Sequence, residues 1–284
     1  MMPGKKLMNK VNIKTKQSTA FLRCCALLML LGSPVFAQTQ EEGSVYQRFA
    51  PIELTGNWVS VVTEDWHMRM ITPPVGNFDG LPLTARAQEI ASVVNLEQLE
   101  RNGQACQAYG AARLLREPGR LRISWQDGDT LRIEADAGKQ TRLLHFDNIP
   151  NPGAPSLQGL SVAKWQYNGG FDPDRVLLNP GETGAIRALG RRPAMQPLGG
   201  KLYVETTNLS PSMLRKNGVP LSEDTELKEY FNTLREPDGT EWLIVTTIVR
   251  DPLNLLVNHI TSTNFQREPD DSLWNPTPCS LLNN

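Results

Sequence analysis

Leu121-Arg122-Ile123-Ser124-Trp125-Gln126-Asp127-Gly128-Asp129-Thr130-Leu131-Arg132-Ile133-Glu134 is the stretch that decides the fold. Leu121, Ile123 and Trp125 alternate with Arg122 and Ser124. Asp127-Gly128-Asp129 turns the chain, and Leu131 and Ile133 then alternate with Arg132 and Glu134. A period of two gives each strand one apolar and one polar face. A short Asp-Gly turn between two such runs is the signal of a hairpin. Ala137-Gly138-Lys139 turns the chain again and residues 141–146 return, so the segment reads as an antiparallel meander.

The pattern extends both ways. Upstream, residues 58–63 and 66–72 are rich in β-branched and aromatic side chains, and Pro73-Pro74 ends the second run. Residues 83–94 carry Ala87, Ile90, Ala91 and Val94 at helical spacing, with Thr84 as N-cap. This is the one expected helix, with residues 96–101 as an optional continuation. Downstream, residues 147–155 form a loop, and Leu160, Val162 and Trp165 open another strand. Residues 202–207, 225–234, 242–249 and 260–266 are four more, with Pro237-Asp238-Gly239 joining two of them. Roughly ten strands with no βαβ alternation predict a mainly β protein, an antiparallel barrel or strongly curled sheet. Residues 168–200 are Gly/Pro-rich and aperiodic, a long loop of the kind that covers a site.

The N-terminus carries Lys5, Lys6, Lys10, Lys14, Lys16 and Arg23 before any acid, then an apolar run, then Val35-Phe36-Ala37. This is the grammar of a secretory signal with a cleavage site. The apolar run, about a dozen residues, is shorter than the roughly 20 that span a bilayer as a helix. Residues 1–37 are therefore expected to be a signal peptide, 38–52 a flexible leader and 53–284 a single β-barrel-like domain. The expected location is the periplasm or the outside of the cell, with no integral membrane segment after processing. The formal charge of the whole chain is −1, and loss of the six cations of the signal moves it to −7. An acidic chain without a basic face is not a nucleic-acid binder. Of four cysteines, Cys24 and Cys25 leave with the signal. Cys106 and Cys279 remain, and in an oxidising compartment an even pair reads as a disulfide, two buried free thiols being the alternative.

Leu54-Thr55-Gly56-Asn57-Trp58 is similar to the Gly-x-Trp opening of lipocalin-like (calycin-like) barrels, where the Trp closes one end. Cys106-Gln107-Ala108-Tyr109-Gly110, Thr141-Arg142-Leu143-Leu144-His145-Phe146, Ser156-Leu157-Gln158-Gly159, Val204-Glu205-Thr206-Thr207-Asn208 and Leu227-Lys228-Glu229-Tyr230-Phe231 follow in that order. The succession resembles a family of exported β-rich proteins of environmental bacteria, over most of residues 54–268. The resemblance implies a secreted β-rich domain and no particular activity. Where that family often carries histidine, this chain has Gly159-Leu160-Ser161 and Leu221-Ser222-Glu223, which weakens any histidine-based chemistry there.

The barrel interior is the expected site. Trp58, Trp125 and Trp165 lie on predicted strands and are candidates to line an apolar cavity, with Arg142, Ser161 and Asn208 as polar groups that orient a ligand. A buried Arg142 requires a partner, and Glu223 is the candidate. His145 is the candidate catalytic acid or base, with Glu223 second. His67, His145 and His259 show no HxH or HExxH spacing, so no metal is expected. No GxSxG, P-loop or dinucleotide fingerprint occurs, and no cofactor is expected. The leading expectation is a barrel that binds a small apolar or amphipathic molecule. The alternatives are a cofactor-free isomerase, lyase or hydrolase using the same cavity, and a structural or envelope-interaction module without a ligand. Oligomeric state stays open.

Overall fold

The computed structural model describes residues 44–169, 171, 173 and 197–282. The expected signal peptide and most of the Gly/Pro-rich loop lie outside them. The strands are β1 (Gly56–Val61), β2 (Arg120–Trp125), β3 (Thr130–Ala135), β4 (Gln140–His145), β5 (Leu160–Tyr167), β6 (Gly200–Thr207), β7 (Ser212–Arg215), β8 (Val219–Leu221), β9 (Glu226–Arg235), β10 (Glu241–Arg250) and β11 (His259–Glu268). Nine close into a barrel in the order β1-β11-β10-β9-β6-β5-β4-β3-β2, while β7 and β8 pair as a separate small sheet. The mainly β, lipocalin-like barrel read from the sequence is the observed fold.

The deciding stretch folds as it reads. Ile123 faces Ile133 across β2 and β3, and Ile133 faces Arg142 across β3 and β4. Gly138 (φ +75°) and Lys139 (φ +52°) are both left-handed, which a tight turn between right-twisted strands requires. A Cβ on Gly138 would strike the Tyr109 ring. One seam departs from the meander: β4 and β5 are parallel, pairing Leu144 with Ser161 and His145 with Val162. The segment between them returns to the end where β4 began, so β5 starts again in the same direction.

Other expectations are corrected. Residues 66–72 do not form a strand. Asp65 adopts a left-handed conformation (φ +51°) and α2 (Trp66–Arg69) follows, so the local β propensity is overridden. The single helix expected over 83–94 is α3 (Ala85–Ser92), capped by Thr84, whose side chain accepts from the Ala87 amide. Asn95 caps a separate helix, α4 (Leu96–Arg101). A 3-10 turn (Ala105–Tyr109) leads into α5 (Ala111–Leu114). Residues 44–52, expected within the leader, pack on the barrel: α1 (Val45–Arg48) precedes Phe49, which is buried, and the Trp165 indole donates to the Tyr46 carbonyl at 2.8 Å.

The barrel has two unlike ends. At one, Trp125 and Trp165 stack on Phe146 with centroids 5.4 and 5.1 Å apart, and Tyr46 closes over Phe146 at 5.2 Å. At the other, Leu83, Ala87 and Ala91 pack with Ala111, Ala112, Leu214, Val219 and Leu221, so α3, α5 and the β7–β8 sheet form a cap. Beside the cap, Cys106 and Cys279 are joined as a disulfide, with Cα atoms 5.1 Å apart. The C-terminal tail is held there: the Thr277 amide donates to the Asp136 carbonyl at 2.9 Å, and Leu281 is buried.

Candidate functional site

The interior positions expected to bind a ligand are occupied with one another. Arg142, 1% exposed, forms an ion pair with Glu229, 0% exposed, and donates to Ser161 Oγ at 3.1 Å and Thr206 Oγ1 at 2.7 Å. Its partner is Glu229, not Glu223, which is exposed in the turn before β9. Trp58 is fully buried, donates to the Leu54 carbonyl at 2.9 Å and lies 4.2 Å beneath the Arg267 guanidinium. Trp125 and Trp165 belong to the aromatic end. Asn208 sits at a left-handed position beyond β6 and donates to the Gly153 carbonyl at 3.2 Å, away from the lumen. His145 alternates with the inward Arg142, Leu144 and Phe146. Its Nδ1 faces Thr130 Oγ1 at 3.4 Å, and among the described residues no carboxylate hydrogen-bonds to it. The structure therefore does not bring His145 and Glu223 together.

A different constellation forms at the cap end. β1 ends there and leads into α2, β2 begins there after α5, β11 begins there with His259, and β7 and β8 turn there. Five cations meet: Arg69 and Arg113, each 5% exposed, Arg116 and Arg215, each 9%, and Lys216, 8%. Glu117 lies among them, paired with Arg113 and with Lys216 Nζ at 2.6 Å. Asp65 pairs with Arg116 at 2.8 Å, and Glu64 accepts from the Ser262 amide at 3.0 Å. Arg69 Nε donates to the Arg116 carbonyl at 3.0 Å. Arg69, Arg113, Arg116 and Arg215 line a cavity of about 20 Å³ together with Asp65, Met68, Leu214 and His259.

The charges there do not balance. Five cations stand against four carboxylates, Glu64, Asp65, Glu117 and the exposed Asp79 near Arg215, and Glu117 is shared between two of the cations. Arg69 Nη1 and Nη2, Arg113 Nε, Arg116 Nη1 and Arg215 Nη1 are buried donors that meet no acceptor among the described residues. Burial and mutual repulsion act on the same groups. Burial, then the Arg116 charge, lowers Arg69 to about 10. Burial also lowers Arg215 to about 10, with Asp65 opposing and Arg116 adding to the fall; burial lowers Arg116 too, with Asp65 and Glu64 opposing. His259 falls to about 4, through burial first and then repulsion from Arg116 and Arg215. Arg69, Arg116, Arg215 and His259 are thus all displaced downward, by burial first and then by neighbouring positive charge. Guanidinium remains charged in proteins, so the site is positive at neutral pH.

Arginine presents planar, directed donors suited to carboxylates and phosphates. What the cluster offers chemically is capture of an anionic group. Sequence reasoning missed it because its members come from four separate segments. One signal was present: Ala111-Ala112-Arg113-Leu114-Leu115-Arg116 sets two cations into an apolar run, which buries them.

Compared with protein-family models, curated proteins and solved structures, the chain matches none. Among the described residues no helix is long and apolar enough to cross a membrane.

Proposed function

We propose that this chain is an exported binding protein that takes the anionic group of a small molecule at the cap end of its barrel. One observation carries the reading: four arginines, all more than nine-tenths buried, line a cavity with unmet donors, and with Lys216 beside them they outnumber the four nearby carboxylates. An uncompensated buried charge costs several kcal/mol, and a water molecule satisfies donors without supplying negative charge. A bound anion supplies both. Export is supported by the signal-like N-terminus and by the Cys106–Cys279 bond. The barrel serves as scaffold, its lumen held by the Arg142–Glu229 pair and the aromatic end.

The test is thermal unfolding of the full mature chain with acetate, phosphate or sulfate at constant ionic strength, beside the Arg69→Gln variant. A specific anion stabilises the native state by about 2.7 kcal/mol when present at 100 times its Kd. The wild type is expected to gain that stability and Arg69→Gln to lose most of the gain. Equal shifts in both proteins would mean a general salt effect and sink the reading.

A further inference from the structure

We infer that the ligand is an amphipathic acid, with its carboxylate at the arginines and its apolar body in the neighbouring cleft. The inference rests on the anion-binding reading above and adds the ligand's class and direction. The arginine cavity, about 20 Å³, exceeds only slightly the roughly 10–15 Å³ that one water needs. It takes one water-sized group, such as a carboxylate oxygen, so the rest of any ligand lies elsewhere. Arg69 is the wall this cavity shares with a second cleft of about 410 Å³. That volume falls in the range of small-molecule sites, about 300–1,000 Å³.

The second cleft has the opposite chemistry. Met70, Tyr109, Pro118, Ala137 and Pro278 supply apolar walls. Its charged residues Lys216 and Glu117 are paired with each other at 2.6 Å, and Lys216 also lies 4.9 Å from the Tyr109 ring centroid. Among the described residues that line this cleft, the unmet donors are those of Arg69, which separates the two spaces. The Pro278 wall is fixed in place: Cys279 is bonded to Cys106, and the Tyr109 hydroxyl donates to the Ser280 carbonyl at 3.0 Å. A preformed apolar cleft ending at a cationic wall fits a molecule with an acid at one end and hydrocarbon behind it.

The experiment titrates the full mature chain with acetate, hexanoate and decanoate by calorimetry. In parallel it follows the ¹³C-methyl signal of Met70, assigned with Met70→Leu. Burial of one methylene is worth about 0.8 kcal/mol, or about fourfold in affinity. Affinity is expected to rise several-fold per methylene until the cleft is full. Decanoate should shift the Met70 signal, acetate should leave it unmoved, and Arg69→Gln should weaken every acid at least tenfold. Equal affinity for acetate and decanoate would overturn the inference and leave the anion site standing. Rising affinity without a Met70 response would place the chain elsewhere and overturn it too. Failure of acetate, phosphate and sulfate alike to bind would remove the anion reading itself.

Discussion

Replacing Glu229 by Gln separates a structural from a functional role for the lumen. The substitution keeps the shape and removes the charge opposite Arg142. Both side chains are sealed, at 0% and 1% exposure, so solvent cannot replace the lost carboxylate. Arg142 keeps only neutral acceptors, the introduced amide oxygen and the hydroxyls of Ser161 and Thr206. Stranding one partner of a buried pair costs about 3–5 kcal/mol. For a protein of this size each kcal/mol lowers Tm by about 2–4 °C, which gives a fall of about 6–20 °C. Urea unfolding monitored by tryptophan fluorescence reads the same loss as a shift in midpoint. The double variant Arg142→Met/Glu229→Leu removes both charges and fills the space with hydrocarbon. It should recover to within about 1 kcal/mol of wild type or exceed it, because two desolvated charges are gone. A single variant within about 1 kcal/mol of wild type would refute the burial argument. So would a double variant as unstable as the single one.

Three further outcomes follow from the same geometry. His259, at about 4, sits below its unfolded value of about 6.5, so the unfolded chain takes up its proton first on acidification. Stability is then complete above about pH 6.5 and falls as pH drops toward 4, by up to about 3 kcal/mol. His259→Asn should flatten that dependence in urea unfolding at pH 7 and 4.5; an unchanged slope would remove His259 as its source. Asp251 is buried and accepts from the Ser222 amide at 2.7 Å, Ser222 Oγ at 2.8 Å and Asn254 Nδ2 at 2.8 Å. Burial pushes its pKa up, but those hydrogen bonds outweigh it and hold the carboxyl below the usual range. Its contribution is therefore present at neutral pH and lost as pH falls through the lowered value, and Asp251→Ala should cost about 3 kcal/mol, seen as a lower urea midpoint. The double variant Cys106→Ser/Cys279→Ser reopens a loop of 173 residues' separation, which chain entropy values at about 5 kcal/mol. A variant with undiminished unfolding free energy would contradict that entropic share.

The barrel was legible because its strands carry a period of two between turn residues, as β2 through β4 show. Arg142 was legible as an interior cation for the same reason. Its partner was not, though alternation contained the answer: Glu229 is in phase with Leu227 and Phe231, and all three are buried. Glu223 precedes β9 and has no such phase. Residues 66–72 misled because β-branched and aromatic content is a propensity, while the Arg69 guanidinium is drawn into the cap and the chain bends at Asp65 to place it. The parallel β4–β5 seam depends on where a loop returns, which no local pattern encodes. The arginine cluster was least legible, because closing the barrel brings residues 69, 113, 116 and 215 together.

Bromide is a small anion that diffraction locates by its own anomalous signal. Crystals of the mature chain grown in sodium bromide and measured at the bromine edge give the most direct test of the cap-end site. The expected result is a bromide within hydrogen-bond reach of Arg69 Nη1 or Nη2, enclosed by Arg113, Arg116 and Arg215. Water alone in that cavity, with bromide found only beside exposed cations such as Arg101, would contradict the central claim.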